Sequence, residues 1–293
     1  MTKLFDNKEI KSIENQILNV KNELLKTVKA NADKLTRDLI VVQNCLYEQL
    51  ESLSWLQRRL NIKGQLPPLR GWATSPDVLV RLHSHIMDVK PNAIVEFGSG
   101  ASTLVIADAL SQNGKGKLFS IEHSDHYGAQ TLATLKAEKL EKWVDLRINA
   151  LEPWHADHLN PADAEKPSYW YAQSSLEGIR NVDLLWVDGP PGATCLYSRY
   201  PALPAVVEKL APNAEIWMDD TIRQEEKDIC HHWAEAYEFD LEYYSLEKGL
   251  GRLTKSRTKA LIVTKEKDLA VIDTTVPFSE KSLGLDFSLP EER

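Results

Sequence analysis

The chain of 293 residues has an ordinary globular composition, with 43% hydrophobic residues, 27% charged residues and a formal net charge of −8. This composition excludes a wholly disordered chain, and no apolar run reaches the roughly 18–20 residues of a membrane span. The acidic balance disfavours nucleic acid as a ligand, because Lys and Arg must neutralise its phosphates. The three cysteines are typical of neither a disulfide framework nor a zinc site, and no signal-peptide core is present, so we expect a cytoplasmic protein.

Residues 1–63 are predicted to form a helical coiled-coil segment for oligomerisation. They contain neither Gly nor Pro, and their apolar residues recur three or four positions apart, which is typical of a seam on a long helix. The seam consists of Ile10, Ile13, Ile17, Val20, Leu24, Leu35, Leu39, Val42, Leu46, Leu50, Leu53 and Leu60. Because one helix cannot bury such a seam alone, we expect pairing with a second copy of the chain, or a hairpin bent near residues 30–33. Packing of the helix on the main domain is the alternative.

Residues 64–266 are predicted to form the main domain, in which short apolar runs alternate with helical patterns. Pro67–Pro68 ends the first helix, and Ser75-Pro76-Asp77 predicts the start of a helix over 76–89. Strands are predicted at 93–97, 117–121, 143–148, 182–187, 215–218, 241–245 and 260–264, and helices at 102–110, 127–140, 203–210 and 222–237. This alternation indicates an α/β fold with a doubly wound, mostly parallel, seven-stranded sheet. The last two strands, joined by a loop over 247–258, are expected to form an antiparallel hairpin, and residues 267–293 a tail.

The strongest motif is the glycine-rich turn that follows the first predicted strand, in the sequence Glu96-Phe-Gly-Ser-Gly-Ala-Ser-Thr103. Gly98 and Gly100 allow a ligand to approach the backbone, and the next helix offers free N–H groups. Thr103 replaces the third glycine of the dinucleotide pattern. Glu122 ends the next strand, where an acidic side chain can accept hydrogen bonds from ribose hydroxyls. Glu96 would repel a pyrophosphate and favours a positively charged ligand.

These residues resemble the class I S-adenosylmethionine-dependent methyltransferases, and the resemblance extends over roughly residues 72–265. It implies that S-adenosylmethionine is the cofactor, with its amino-acid part at the glycine turn, its ribose at Glu122 and its adenine near Asn149 and Ala150. The family often has an acidic residue in the loop where this chain has Asn149 and Ala150. The cofactor-binding residues that the resemblance implies are Glu96, Gly98, Ser99, Gly100, Ser102, Glu122, His123, Asn149, Ala150 and Asp188.

A second group of acidic residues follows the fourth and fifth strands of the predicted parallel sheet. Asp188 begins the sequence Asp188-Gly-Pro-Pro-Gly192, and Asp219 and Asp220 end the next strand. These three carboxylates are the predicted catalytic residues, because the carboxyl ends of neighbouring parallel strands meet at one edge. Clustered carboxylates repel one another, so either one takes up a proton or a cation such as Mg²⁺ neutralises them. The alternatives are that one acts as a base without a metal, or that Asp219 and Asp220 merely cap the following helix.

The spacing of these carboxylates resembles that of metal-dependent O-methyltransferases, the macrocin O-methyltransferase-like group especially. The Asp-Gly-Pro-Pro-Gly turn is also similar to glycan methyltransferases of the glucuronoxylan type, for which no metal is assumed. The resemblance implies methyl transfer to a hydroxyl of a sugar, glycan or small natural product. A NAD-dependent oxidoreductase and a methyltransferase-like scaffold without activity are the other two hypotheses.

Aromatic residues flank the predicted crevice and are candidates for contact with the acceptor. They are Trp72, before the first strand of the sheet, and Trp154, Trp170 and Tyr171, in the long insertion over residues 152–181. Such side chains can stack on a sugar or exclude water, and the insertion is long enough to form a lid. Ordinary packing of the insertion on the domain is the alternative.

Overall fold

The computed structural model describes residues 7–159 and 167–255. Its helices are α1 (Asn7–Arg59), α2 (Pro76–Val89), α3 (Ala101–Asn113), α4 (Asp125–Ala137), α5 (Ala202–Val206) and α6 (Gln224–Ala236). Its strands are β1 (Ala93–Phe97), β2 (Lys117–Glu122), β3 (Val144–Ile148), β4 (Leu151–Pro153), β5 (Tyr169–Tyr171), β6 (Val182–Val187), β7 (Leu210–Asp219), β8 (Phe239–Tyr244) and β9 (Leu250–Lys255). The predicted strand 260–264 and the predicted tail 267–293 lie outside the described residues.

Seven strands form one sheet in the order β3-β2-β1-β6-β7-β9-β8. The first five run parallel, whereas β9 pairs antiparallel with both β7 and β8. This arrangement confirms the predicted α/β fold with a mostly parallel sheet and a closing antiparallel hairpin. The strand order reverses between β1 and β6, and such a switch point opens a ligand-binding crevice at the carboxyl ends of the two strands.

The second strand of the hairpin lies earlier in the chain than the sequence predicts. The expected loop over 247–258 contains β9, which pairs with β8 from Phe239↔Lys255 to Tyr244↔Leu250. Gly249 and Gly251 interrupt the apolar alternation that would have indicated this strand. Gly249 has a φ of 70°, and a Cβ there would lie 2.8 Å from the backbone nitrogen of Ile222, so the turn requires glycine.

Buried side chains cover both faces of the sheet. On one face, α2 and α3 pack on β1 through Leu82, Leu104 and Ile94. On the other face, Phe97 of β1 lies in the same cluster as Trp233 of α6. All five residues of β1 are buried, as expected for a central parallel strand covered on both sides. The end of β1, which carries the glycine turn, is therefore held rigidly.

Helix α1 is continuous for 53 residues, so the expected hairpin near residues 30–33 is wrong. Among the described residues, only its last turns contact the rest of the protein, where Leu56 is fully buried against Leu79, Ala101 and Val105. Packing on the main domain therefore holds for this end alone. From Ile10 to Leu50 every described member of the seam is at least 43% exposed. The helix is long, but neither it nor any other helix in the described part of the chain is apolar enough to cross a membrane.

Candidate active site

The glycine turn after β1 lies directly against the turn after β6. Gly98 has a φ of +91°, which L-residues rarely adopt, and a Cβ there would lie 2.9 Å from the backbone oxygen of Asp188. Only glycine therefore allows the two turns to approach so closely. The Gly98 N–H donates to the oxygen of Ile121 at 2.9 Å, and the Asp188 N–H donates to that of Phe97 at 3.0 Å. The two regions in which the sequence predicts functional residues are thus in contact.

Glu96 and Ser102 lie beneath the glycine turn and not on the surface of the crevice. Glu96 is fully buried and accepts hydrogen bonds of 2.6 Å from the hydroxyls of Ser102, Thr103 and Ser120. Thr103 Oγ1 also accepts a hydrogen bond from the Gly100 N–H at 2.9 Å, which links Glu96 to the turn. Burial raises the pKa of Glu96 to about 7, although the three hydroxyls act in the opposite direction. Both side chains position the turn from below, and direct contact of Glu96 and Ser102 with the cofactor stays a prediction.

Glu122 closes the other side of the glycine turn from the end of β2. Its Oε2 accepts hydrogen bonds from the Ser99 N–H at 2.8 Å and from Ser99 Oγ at 2.9 Å. Its Oε1 accepts from the N–H groups of His123 and Ser124, each at 2.8 Å. Burial alone would raise the pKa of Glu122, but the hydrogen bonds from His123, Ser124 and Ser99 lower it to about 2. An ionised carboxylate at this edge is suited to accept hydrogen bonds from ribose hydroxyls.

The other residues predicted to contact the cofactor border Glu122. Asn149 donates its N–H to the backbone oxygen of Glu122 at 3.0 Å, and its side-chain nitrogen donates to Ser175 Oγ at 2.8 Å. Asn149 and Ala150 are exposed beside this carboxylate. The ring of His123 meets that of Tyr171 edge to face, with 5.9 Å between the centroids. The predicted adenine and ribose regions are therefore adjacent in the fold.

The insertion turns its three aromatic side chains into the core. Strands β4 and β5 pair antiparallel, and Trp154, Trp170 and Tyr171 are 7%, 1% and 2% exposed. The ring of Phe97 lies 4.8 Å from that of Trp170 and 5.3 Å from that of Tyr171. These contacts favour ordinary packing, and the predicted stacking of these three side chains on a sugar is wrong. Of the four aromatic candidates, Trp72 alone is on the surface, at 75% exposure.

Tyr171 is a candidate site residue in a role that differs from the predicted contact with the acceptor. Its hydroxyl is buried without a hydrogen-bond partner in the described part of the chain, and a Cβ on Gly189 would lie 2.3 Å from it. The same Cβ would lie 3.2 Å from the Cα of Gly98. The phenol therefore ends where the two turns meet, and burial raises its pKa, so it is a hydrogen-bond donor at neutral pH. Neither its spacing nor its neighbours in the sequence indicate this position.

Asp188, Asp219 and Asp220 converge at the ends of β6 and β7, but they surround an arginine that the sequence analysis did not single out. Arg199 is 3% exposed, and its Nη2 donates to Asp220 Oδ2 at 2.8 Å and to Asp188 Oδ1 at 3.2 Å. Its Nη1 donates to the backbone oxygen of Asp219 at 3.0 Å, and its Nε lies 3.9 Å from Glu226 Oε1. We call these four acidic residues and Arg199 the Arg199 cluster.

Burial raises the pKa of three carboxylates of the Arg199 cluster, those of Asp188, Asp219 and Glu226. Burial raises the pKa of both Asp188 and Asp219, each is raised further by a neighbouring aspartate, and Arg199 opposes both shifts. The pKa of Asp219 is raised to about 6. Thr74 donates its hydroxyl to Asp188 Oδ2 at 3.0 Å, whereas Asp219 Oδ2 is buried without a hydrogen-bond partner in the described structure. Asp219 can therefore accept a proton near neutral pH.

The expected Mg²⁺ site is not formed by these residues. In residues 7–159 and 167–255, no group of three or more His, Cys, Asp or Glu side chains could hold a metal ion. The guanidinium of Arg199 takes the position between Asp188 and Asp220 that the ion would need. The alternative of helix capping is also wrong, because α6 begins after Arg223 without a side-chain capping hydrogen bond.

The chain is similar to known methyltransferases in a sequence-family match and in its fold. Residues 95–221 match the family model described as "Methyltransferase domain". An SAH-bound methyltransferase from Podospora anserina, PaMTH1, has the same fold, with 16% sequence identity, a TM-score of 0.51 and coverage of 74% of this chain and 94% of that chain. An O-methyltransferase from Bacillus cereus, solved in complex with SAH, shares 15% identity at a TM-score of 0.48, over 69% of this chain and 91% of that chain. No curated protein matches the chain by sequence.

The fold, the glycine turn and the family match define a methyltransferase domain. The prediction of a class I S-adenosylmethionine-dependent methyltransferase is thereby confirmed. The macrocin-like subtype stays a prediction. The family match does not favour the oxidoreductase hypothesis, because it is to a methyltransferase domain.

Proposed function

We propose that this protein transfers a methyl group to a hydroxyl oxygen of a small molecule or glycan. The observation that carries the proposal is the contact between the glycine turn and the Asp188 turn, where a Cβ on Gly98 would lie 2.9 Å from the Asp188 oxygen. A methyl donor bound at the first turn is within reach of a nucleophile bound at the second. In-line transfer needs little else from the protein than this positioning and a proton acceptor.

The cofactor residues that we propose are those on the crevice side of the glycine turn. Glu122 would hold the ribose, Asn149 and Ala150 would border the adenine, and the backbone at Gly98–Gly100 would accommodate the amino-acid part. When bound, S-adenosylmethionine supplies a methyl group activated by a positively charged sulfur. The acidic side chains at this edge suit that charge, and the buried hydroxyl of Tyr171 offers a further hydrogen bond where the two turns meet.

We assign the general base to Asp219. S-adenosylmethionine, when bound, would supply the methyl group, and its carbon–sulfur bond would break with the electron pair left on sulfur in S-adenosylhomocysteine. The carboxylate would accept the proton that the acceptor hydroxyl loses as its oxygen bonds to the methyl carbon, and would then return that proton to water. Asp219 suits this role because its Oδ2 is unpartnered and its pKa of about 6 leaves it ionised, but still basic, at neutral pH. The hydroxyl of Thr74 donates to Asp188 and fixes the orientation of its carboxylate, and we propose that Asp188 in turn orients the acceptor.

The acceptor is expected to lie on the outer side of the Arg199 cluster, near Trp72. This indole is 75% exposed and only two residues before Thr74, which donates to Asp188. Ile222, two residues after Asp220, is 65% exposed. An exposed aromatic face next to buried carboxylates suits a sugar or another small molecule that offers both an apolar face and a hydroxyl.

We further propose that α1 pairs with α1 of a second copy of the chain. The exposed part of the seam, from Ile10 to Leu50, lies on one face and extends about 60 Å at ~1.5 Å per residue. An apolar stripe of this length on a soluble helix is typical of a coiled-coil partner surface.

Calorimetric titration tests the cofactor proposal directly. S-adenosylhomocysteine should bind with a stoichiometry of one per chain, and NAD should not bind. Glu122→Ala should abolish the heat of S-adenosylhomocysteine binding. Glu177→Ala, a change at an exposed position outside the crevice, should leave this heat unchanged. Binding of NAD without binding of S-adenosylhomocysteine would refute the proposed function. Transfer of label from methyl-labelled cofactor to a panel of sugars and phenols then identifies the acceptor class.

A further inference from the structure

The Arg199 cluster is built around a guanidinium with almost no exposure to solvent. Arg199 lies in the irregular segment between β6 and α5, and its side chain is 4% exposed. In the guanidinium group, Nη2 donates to the carboxylates of Asp188 and Asp220, and Nη1 donates to the backbone oxygen of Asp219. Glu226 stands behind Nε at 3.9 Å. The four acidic residues lie in β7, in α6 and in the segments that follow β6 and β7, and within the described part of the chain they surround one buried cation.

The chemistry of a guanidinium makes this cation permanent. Arginine does not lose its proton in proteins, and its planar fork can donate to several oxygens at fixed angles. A divalent ion in the same place would dissociate and would be removed by a chelator. Since carboxylates this close repel one another, a positive charge at this position stabilises their ionised forms in either case.

We propose that Arg199 takes the place of a divalent metal in this methyltransferase, so that the acidic residues are charge-balanced and oriented without a bound ion. Arg199 is thus a positioning residue: it orients Asp188 and Asp220 and keeps the base, Asp219, next to a fixed positive charge. The structural part of the proposal concerns metal binding and stands without an activity, whereas the catalytic part rests on the proposed function.

The first experiment measures Mn²⁺ binding, by the loss of the free-ion electron paramagnetic resonance signal, to the full-length protein. Wild type should not bind Mn²⁺ with a Kd below about 1 mM. Arg199→Met removes the guanidinium, keeps much of its volume and takes the neighbouring cation away from Asp188 and Asp219, so this variant should bind one Mn²⁺ at least about tenfold more tightly than wild type. Stoichiometric binding to wild type overturns the proposal, and so does a folded Arg199→Met variant that gains no affinity.

A matched control separates this effect from the loss of any arginine. Arg223 donates to Asp220 Oδ2 at 3.0 Å and to Glu226 Oε1 at 2.6 Å, but its side chain is 38% exposed and it contacts neither Asp188 nor Asp219 in the described structure. Arg223→Met should therefore gain no Mn²⁺ affinity, because Arg199 still holds the centre. An equal gain in the two variants would contradict the specific role of Arg199.

Two further measurements keep the proposal testable if Arg199→Met does not fold. Wild-type activity should be unchanged by excess EDTA, and a loss that Mg²⁺ or Mn²⁺ restores overturns the proposal. Arg199→Lys keeps the charge but loses the fork, so kcat should fall at least about tenfold while the Kd of S-adenosylhomocysteine stays within about threefold. An unchanged kcat in Arg199→Lys would refute the proposed positioning role of Arg199. Failure of wild type to bind S-adenosylhomocysteine refutes the proposed function instead, and leaves the Mn²⁺ result interpretable.

Discussion

Glu96→Gln is the substitution whose effect on stability follows most directly from the structure. Glutamine keeps the shape of the side chain and can still pair with the hydroxyls of Ser102, Thr103 and Ser120, because each hydroxyl can donate or accept. It cannot ionise. The variant therefore removes the titration of the carboxyl that lies buried beneath the glycine turn, and it changes little else.

The size of the effect comes from the pKa of Glu96, which burial raises from 4.5 to about 7. A group with a raised pKa in the folded state contributes stability that is fully present below its unfolded value, and loses it as the pH rises through the folded value. At ~1.4 kcal/mol for each pKa unit, the wild type should lose roughly 2–3 kcal/mol from this group between pH 5 and pH 8. Glu96→Gln should lose none of it.

Urea unfolding of both proteins at pH 5 and pH 8 measures this difference as a change in the free energy of unfolding. Taking the difference between the proteins cancels the titration of every other group. Glu208→Gln, at an exposed position, serves as the control and should follow wild type. If Glu96→Gln shows the same pH dependence as wild type, the assignment of a raised pKa to this carboxyl is refuted.

Three further substitutions test the remaining parts of the molecule. Glu122→Gln should raise the Kd of S-adenosylhomocysteine about tenfold or more in calorimetry, because an ionised acceptor of ribose hydrogen bonds is lost; an unchanged Kd would remove Glu122 from the cofactor site. Trp72→Ala should raise the KM of the acceptor several-fold and leave the cofactor Kd unchanged, whereas an effect on the cofactor alone would place the acceptor elsewhere. Leu39→Glu, on the seam of α1, should lower the particle mass in light scattering because it places a charge in the proposed pairing surface. Gln43→Glu, at an exposed polar position nearby, should leave the mass unchanged. A monomeric wild type would refute the pairing proposal.

The sheet could be predicted because its strands are apolar on both faces. Runs such as Ala93–Phe97 and Val182–Val187 are buried throughout, and a central parallel strand leaves this signature in the sequence. Strand β9 has no such signature, because Gly249 lies just before it and Gly251 lies within it. The β4–β5 pair was missed because each strand has three residues, too few for a period to emerge.

The sequence predicted the carboxylates of the candidate site but not its arginine, because the segment that carries Arg199 has no periodic pattern. The convergence of Asp188 with Asp219 follows from strand order, which alternation predicts. Arg199 lies in an irregular segment, where no periodicity tells which neighbours a side chain meets. One signal was available: a cation stabilises three ionised carboxylates at one sheet edge, and a chain that supplies its own cation must place a Lys or Arg near the same edge.

If two copies of the chain pair through α1, the length of this helix sets the distance between their two crevices on a polymeric acceptor. A helix of 53 residues is about 80 Å long at ~1.5 Å per residue, and the catalytic domain begins close to its carboxyl end. Two such rods side by side in the same direction would bring both crevices to one end of the particle, near enough for neighbouring units of a single polymer. Rods in opposite directions would separate the crevices by most of that length, and each would then meet its substrate alone. The direction of pairing thus decides whether successive modifications on one strand are coupled or independent.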